Sequence, residues 1–367
     1  MQTLILINGN FLCRNLTGIE RYAWEVCRRL DKLLATKTGE QSPRFAILVP
    51  ANAKKVPRYE QIELIRSPKA IKGFPFWDLG TFARECRRRH ALAFDFSNTA
   101  PLGKNCGIAF LHDIYAADCP QDFVSFKDRL IRAYSMLNYA NICRHARKII
   151  TVSAFSARQI QKRYSVDASR ITVIGNGWEH ITKVEEDDGI FARFPRLAEE
   201  AYYFTLGSLS RRKNLAWIAR YAASHPEGLF AVSGKAISGL VPPELDALKS
   251  LANVVLLGYV SDAEVKALMR HCKAFVFPSY YEGFGIPPLE ALAVGASAIV
   301  ANAASLPEIY GGAVHYIDPH STDCDMDALL SEPLSEHPQD LLKRHSYAAA
   351  AESIYKLCCE ILQSLIA

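Results

Sequence analysis

The stretch Ala274-Phe275-Val276-Phe277-Pro278-Ser279-Tyr280-Tyr281-Glu282-Gly283-Phe284-Gly285-Ile286-Pro287-Pro288-Leu289-Glu290 decides how the rest of the chain is read. It opens on a short apolar run and turns through a glycine-containing loop. It then enters Pro287-Pro288, which the first turn of a helix accepts without losing a hydrogen bond. Gly295 is placed to end that helix. A buried strand followed at once by a helix is the repeating unit of a parallel sheet. The helix start carries unsatisfied N–H groups and the positive end of the macrodipole, which suits a phosphate or a polyhydroxylated ligand. Gly283 and Gly285 let backbone approach such a ligand closely. Glu282 in the loop and Glu290, expected on the first helical turn, are acceptors for hydroxyls on either side. A solvated loop residue and a glutamate that merely complements the dipole would be spelled the same way.

The same alternation runs outward in both directions. Apolar, β-rich runs are expected over 3–8, 45–50, 93–96, 107–111, 149–152 and 171–174, and again over 203–207, 229–233, 254–257, 274–278, 298–301 and 314–317. Helical patterns separate most of them, so the expected fold is α/β, with two doubly wound parallel-sheet domains in tandem and a cleft between them. The break falls near the polar Glu185-Glu186-Asp187-Asp188-Gly189, giving domains 1–178 and 179–367. A final amphipathic helix over about 338–365 is expected to cross back to the first domain. Functional groups belong on loops after strands, where open parallel sheets bind ligands.

Composition bounds the alternatives. A chain of 367 residues exceeds what one core usually supports, and half of it is apolar with 22% charged, which excludes long disordered regions. The richest apolar stretch, 289–304, is interrupted by Glu290, Gly295 and Asn302, so no membrane span is expected. Residues 1–8 read as a first strand rather than a leader. Ten scattered cysteines lack ligand spacing and read as reduced thiols in a cytoplasm. Residues 1–180 hold 28 Lys and Arg against 15 Asp and Glu, +13, and the rest carries −8. A basic half faces anionic lipid headgroups, a diphosphate-bearing acceptor or nucleic acid, and no nucleic-acid reading motif is present. Arg84 to Arg89, on a helix begun near Trp77 with Phe74, Phe76 and Phe82 beside it, is a candidate seat on an anionic membrane surface. A solvated helix face has the same composition.

Further motifs lie at strand ends. Gly207-Ser208-Leu209-Ser210-Arg211-Arg212-Lys213-Asn214 follows a strand and opens a helix, where cations are electrostatically unfavourable unless an anion is bound. Leu111-His112-Asp113 ends another strand, with Asp113 expected to brace the next loop. Thr17-Gly18-Ile19-Glu20 and Ser305-Leu306-Pro307-Glu308 read as capping boxes, and Arg21 is placed to reach the cleft. Asp323-Cys324-Asp325 lies in a late stretch away from any cleft strand, so no metal site is expected.

Glu282 and Glu290 around Gly-Phe-Gly, within the run from Phe277-Pro278-Ser279 to Gly295, resemble the signature of retaining glycosyltransferase family 4. The other motifs follow in that family's order, so the resemblance covers nearly the whole chain. It implies a GT-B fold and a metal-independent, cofactor-free transfer of a hexose or deoxyhexose, mannose from GDP-mannose being named first. A nucleotide-sugar donor and a saccharide acceptor, lipid-linked in surface polysaccharide or O-antigen synthesis, are the implied partners, with the enzyme cytoplasmic or peripheral on the inner membrane face. By the resemblance Arg212 and Lys213 neutralise the leaving diphosphate, and the family's arginine directly after the glycine is replaced here by Ser208. Glu282 holds sugar hydroxyls and Glu290 the ribose. His112 meets the reacting centre, and Arg21 and Asp113 lie on the acceptor side. Gly18, Gly207, Gly234, Lys235, Tyr259, Val260, Gly283, Phe284, Gly285 and Ile286 line the donor. A sugar-nucleotide epimerase or hydrolase on the same fold, and a non-catalytic GT-B partner protein, are the rival readings. Neither domain carries Gly-X-Gly-X-X-Gly after its first strand, which disfavours a nicotinamide enzyme.

Overall fold

The computed structural model describes residues 3–37, 42–207, 210–234 and 244–366. Packing divides the chain into two units: Met1–Pro120 with Arg129–Gly177 and Ser346–Ala367, and Gln121–Asp128 with Trp178–His345.

The first unit is built on seven parallel strands: β1 (Leu4–Asn8), β2 (Arg44–Val49), β3 (Glu63–Arg66), β4 (Leu92–Asp95), β5 (Ile108–Phe110), β6 (Lys148–Thr151) and β7 (Ile171–Val173). Their order is β3-β2-β1-β4-β5-β6-β7. Successive strand residues point to opposite faces, so the apolar run of β1 serves two cores. Ile5 and Ile7 pack with Phe94, Phe110 and, from the helices Gly18–Thr36 and Tyr347–Ile366, Tyr22, Val26, Tyr347 and Ile354. Leu6 faces the other way, onto Trp77, Phe82 and Cys86. Burying each large apolar side chain stabilises the unit by about 1.5–3 kcal/mol.

Three sequence expectations change here. Strand β3 is additional; its approach is held by Asp31, whose carboxylate accepts the backbone N–H groups of Glu60, Gln61 and Ile62 at 2.8–3.1 Å. The last helix is two, Pro338–Arg344 and Tyr347–Ile366, because His345 is extended between them. Of the described aromatics beside Arg84 to Arg89, two of three are core: a π-helical turn over Trp77–Phe82 turns both end residues inward, and Phe76 stands 83% exposed. The Phe74 side chain lies outside the described residues. Arg88 and Arg89 pair with Glu85 at 2.7 and 3.1 Å.

The second unit carries β8 (Tyr202–Leu206), β9 (Leu229–Ser233), β10 (Val254–Gly258), β11 (Ala274–Phe277), β12 (Ala298–Ala301) and β13 (His315–Ile317), in the order β10-β9-β8-β11-β12-β13. Strand order reverses between β8 and β11 here and between β1 and β4 in the first unit. A ligand crevice opens at such a reversal, beyond the carboxyl ends of the strands. Among the described residues no helix is long and apolar enough to cross a membrane.

Candidate functional site

At the reversal of the second sheet, Thr205, Leu206, Gly207, Lys213, Ser233, Phe277 and Ser279 line a small open recess. Gly207 ends β8. A Cβ there would stand 3.2–3.5 Å from the Lys213 stem, so the glycine leaves the room that the lysine occupies. Arg211–Lys213 form a single 3-10 turn, and Asn214 follows in the left-handed region at φ 57°. The Asn214 amide donates to the carbonyls of Pro278 and Pro319 at 3.0 and 2.8 Å, and Tyr280 N–H donates to Arg212 O at 3.1 Å. The basic turn is thereby fastened to the loop after β11.

That fastening brings Lys213 and Glu282 together. Lys213 Nζ donates to Glu282 Oε1 at 2.6 Å and lies 4.6 Å from the centroid of the Phe277 ring. Arg212 Nη1 stands 3.8 Å from Glu282 Oε2. Burial alone would raise the Glu282 carboxyl, but the Lys213 ammonium and the Arg212 guanidinium outweigh it and hold it below its ordinary value. The sequence argument that the cations need a bound anion is therefore corrected: a buried glutamate already supplies a negative charge. Arg211 is exposed.

The glycine loop is positioned from β12. Ser305 Oγ donates to the Glu282 carbonyl at 2.9 Å, and Tyr310 donates its hydroxyl to the Gly285 carbonyl. Ser305 therefore does not cap the helix Leu306–Tyr310, contrary to the capping-box expectation. Gly285 has φ 85°, and a Cβ would sit 2.6 Å from Leu306 Cδ2. Helix Ile286–Ala293 follows. Glu290 is its fifth residue and lies on the second turn, not the first. Pro287 and Pro288 bring no N–H, so any anion at this end must be met by Ile286 and the loop amides of Gly283, Phe284 and Gly285. The Phe284 side chain is buried edge-on against His345, centroids 5.4 Å apart, and only its backbone remains for a ligand. Glu290 Oε1 accepts from His180 Nε2 at 2.6 Å, both side chains buried. His180 carried no sequence signal, since nothing in a lone histidine after a linker names its partner.

Two other loops end on this side of the sheet. Ser233 Oγ and Gly234 N–H both donate to Gly258 O at 3.0 Å. Tyr259 is 76% exposed while Val260 is buried. Lys235 and Ser208 lie outside the described residues.

In the first unit His112 follows β5 and is buried. Its backbone N–H donates to Asn98 Oδ1 at 2.8 Å, and its Nε2 lies 2.7 Å from the Phe96 carbonyl. A carbonyl only accepts, so Nε2 carries the hydrogen and Nδ1 is the acceptor of the neutral ring. Burial lowers the pKa of the ring, opposed by the Phe96 carbonyl and by the charges of Asp113 and Glu20. Asp113 accepts from Tyr115 N–H at 3.0 Å, bracing the next turn. Gly18 is exposed at the start of its helix, and Arg21 N–H donates to Thr17 O at 2.8 Å. The Thr17 hydroxyl bonds the Glu20 carboxylate, which also takes Arg14 at 3.3 Å, so the expected capping box is not closed onto the backbone.

Among the described residues one group of metal-ligating side chains converges, the largely exposed Glu186, Asp188 and His271, and Glu186 there pairs with Arg270 at 2.8 Å. Asp325, of the Asp-X-Asp, caps the helix Met326–Ser331.

Two family models, two curated relatives and one solved structure resemble this chain. The model described as Glycosyltransferase Family 4 matches residues 16–180, and that described as Glycosyl transferases group 1 matches 188–345. The O-antigen chain mannosyltransferase B of Escherichia coli is 27% identical over 260 residues, 68% of this chain and 67% of that protein. The serotype-specific mannosyltransferase WbdA of Escherichia coli is 29% identical over 226 residues, which span 56% of this chain but only 26% of that protein. The solved sucrose-phosphate synthase of Thermosynechococcus elongatus superposes with a TM-score of 0.71 at 16% identity, over 99% of this chain and 100% of that one, a likeness of fold.

Proposed function

From the premise that the chain belongs to glycosyltransferase family 4 and is a glycosyltransferase of GT-B fold, we propose that it transfers mannose from GDP-mannose, with retention, to a saccharide hydroxyl of a lipid-linked surface polysaccharide. The observation that carries this reading is the Lys213–Glu282–Arg212 cluster at the strand reversal of the second unit. The names of the two mannosyltransferase relatives support the sugar.

In this reading Arg212, Lys213 and the loop amides stabilise the departing diphosphate, a role that preorganised donors fill without reorganisation at the moment of reaction. Cations and amides take the place of a metal. Donor binding changes the partners of Glu282: the diphosphate draws the Lys213 ammonium, and the freed carboxylate accepts sugar hydroxyls. Gly207, Gly234, Lys235, Tyr259 and Val260 border the nucleotide, the last four around the base. The Nδ1 of neutral His112 accepts from a sugar hydroxyl near the reacting carbon, with Gly18 beside the donor phosphate and Arg21 and Asp113 on the acceptor side. The leaving phosphate itself takes the acceptor's proton, so no protein base is assigned.

The basic first half and the exposed Leu130 and Leu137, 57% and 70% accessible on the helix Phe126–His145 among Arg129, Arg132 and Arg144, support seating on an anionic inner membrane face. Saturable binding measured calorimetrically across GDP-, UDP- and dTDP-sugars tests the donor. GDP-mannose should bind tightest and remain a substrate in EDTA. A UDP-sugar preferred over it, or turnover lost on chelation and restored by a divalent cation, overturns the reading. Co-sedimentation with phosphatidylglycerol vesicles, lost in Leu137→Asp, tests the seat.

A further inference from the structure

The side chain given to the ribose in the proposed function is not held by its own helix. Glu290 stands on the second turn of Ile286–Ala293, and its Oε1 is taken by His180 Nε2, 110 residues earlier in the chain, at 2.6 Å. His180 lies on the four-residue helix Glu179–Thr182, immediately after the chain enters the second unit at Trp178. The side chains of His180 and Glu290 are 5% and 11% accessible, so the pair is sheltered from water, with Glu290 the more open of the two. A glutamate has three side-chain torsions to lose on binding, and one fixed beforehand binds more tightly and with better-defined geometry.

We infer that His180 is a positioning residue for nucleotide recognition, which rests on the reading of Glu290 as the ribose ligand: it anchors one carboxylate oxygen so that the other is presented to the vicinal hydroxyls of a ribonucleoside diphosphate. A carboxylate oxygen accepts, so Nε2 is the donor, and the ring is held with Nε2 toward Glu290. The specificity that follows is for ribose over 2′-deoxyribose, since a site built to bond a hydroxyl rejects the analogue that lacks it.

The test is the affinity ratio of ribo- to 2′-deoxyribonucleoside diphosphate, measured for the full chain with GDP against dGDP and UDP against dUDP. The wild type should favour the ribonucleotide by about tenfold or more, one hydrogen bond to a charged group. His180→Ala and Glu290→Gln should each bring the ratio close to one. His180→Gln, whose amide reaches the place of Nε2, should retain most of it, and His180→Asn, which is polar but too short, should not. Melting curves identify a variant that fails to fold, and the Gln and Asn pair then carries the comparison. A wild-type ratio surviving in both His180→Ala and His180→Asn overturns the positioning role alone. Binding of the diphosphates with no ribose preference in the wild type overturns it together with the Glu290 assignment. No binding of either diphosphate overturns the donor reading as a whole.

Discussion

Lys213 Nζ and Glu282 Oε1, 69 residues apart in sequence, meet at 2.6 Å with both side chains largely withdrawn from solvent. The two residues assigned to the leaving phosphate and to the sugar therefore also hold each other in place. Lys213→Ala should lower stability by about 1–3 kcal/mol, because it removes the hydrogen-bonded partner of the buried Glu282 carboxylate and leaves Arg212, at 3.8 Å, as its cation. It should also lower kcat by about 100- to 1,000-fold through loss of a preorganised donor. Adding Glu282→Gln should recover much of the melting temperature and none of the turnover. Recovery of both would remove Lys213 from the chemistry. The Glu282 carboxyl is held below its unfolded value, so its stabilising contribution is present above that value and is lost as pH falls through the lowered one. Glu282→Gln should flatten the acid limb of the stability profile.

A second buried carboxyl behaves in the opposite sense. Asn8 Nδ2 donates to Asp78 Oδ1 at 2.7 Å and to Asp95 Oδ1 at 2.6 Å, which fills the strand reversal of the first sheet with a polar plug. Burial, then the Asp78 charge, raises Asp95, while the Asn8 hydrogen bond opposes them; Arg14, Cys86, Cys106 and Tyr134 are the other titratable groups around the pair. Because the folded value is raised, the contribution of Asp95 is present below the unfolded value and lost as pH rises through the folded one. Asp95→Asn, isosteric with the protonated acid, should gain about 1–3 kcal/mol at mildly alkaline pH and little near pH 4, read from urea denaturation at each pH.

Gly285→Ala should cost about 1–3 kcal/mol, because φ 85° disfavours a side chain and the new Cβ meets Leu306 at 2.6 Å. The loop should shift with it. Calorimetry should show donor affinity falling more than acceptor affinity, and equal losses in both would place the loop outside the donor site.

His112 is buried with its pKa lowered, so it is neutral at pH 7 and its stabilising contribution is lost as pH falls through the depressed value. Nitrogen-15 NMR should show the Nε2–H tautomer persisting below pH 6.5. His112→Ala should reduce kcat by about 2- to 10-fold, the worth of one hydrogen bond between neutral groups. A charged imidazolium at pH 7 would contradict the assignment.

How much was legible in advance differs between elements. All six strands of the second sheet appear, because each is a mainly apolar run, and β8, β9, β11 and β12 are buried along nearly their whole length. Strand β3 is half polar and depends on Asp31, 29 residues or more before the amides it holds, which no local pattern encodes. Trp77 and Phe82 read as a surface patch because a helical repeat of 3.6 spreads them apart, whereas the π turn brings both inward. Ser305 and Glu308 have a capping-box spacing, yet the serine hydroxyl serves the Glu282 carbonyl.

The sequence by itself determined the alternation of strands and helices, the glycine loop before Ile286 and the residues that carry charge, because periodicity, backbone freedom and ionisation are local properties. Only the tertiary structure decided how those residues pair. Glu282 is neutralised by Lys213 and Arg212, Glu290 is held by His180, and His112 is left with its Nδ1 as acceptor, since each result depends on which strand ends the sheet order brings side by side and on how far burial strengthens the contacts formed there.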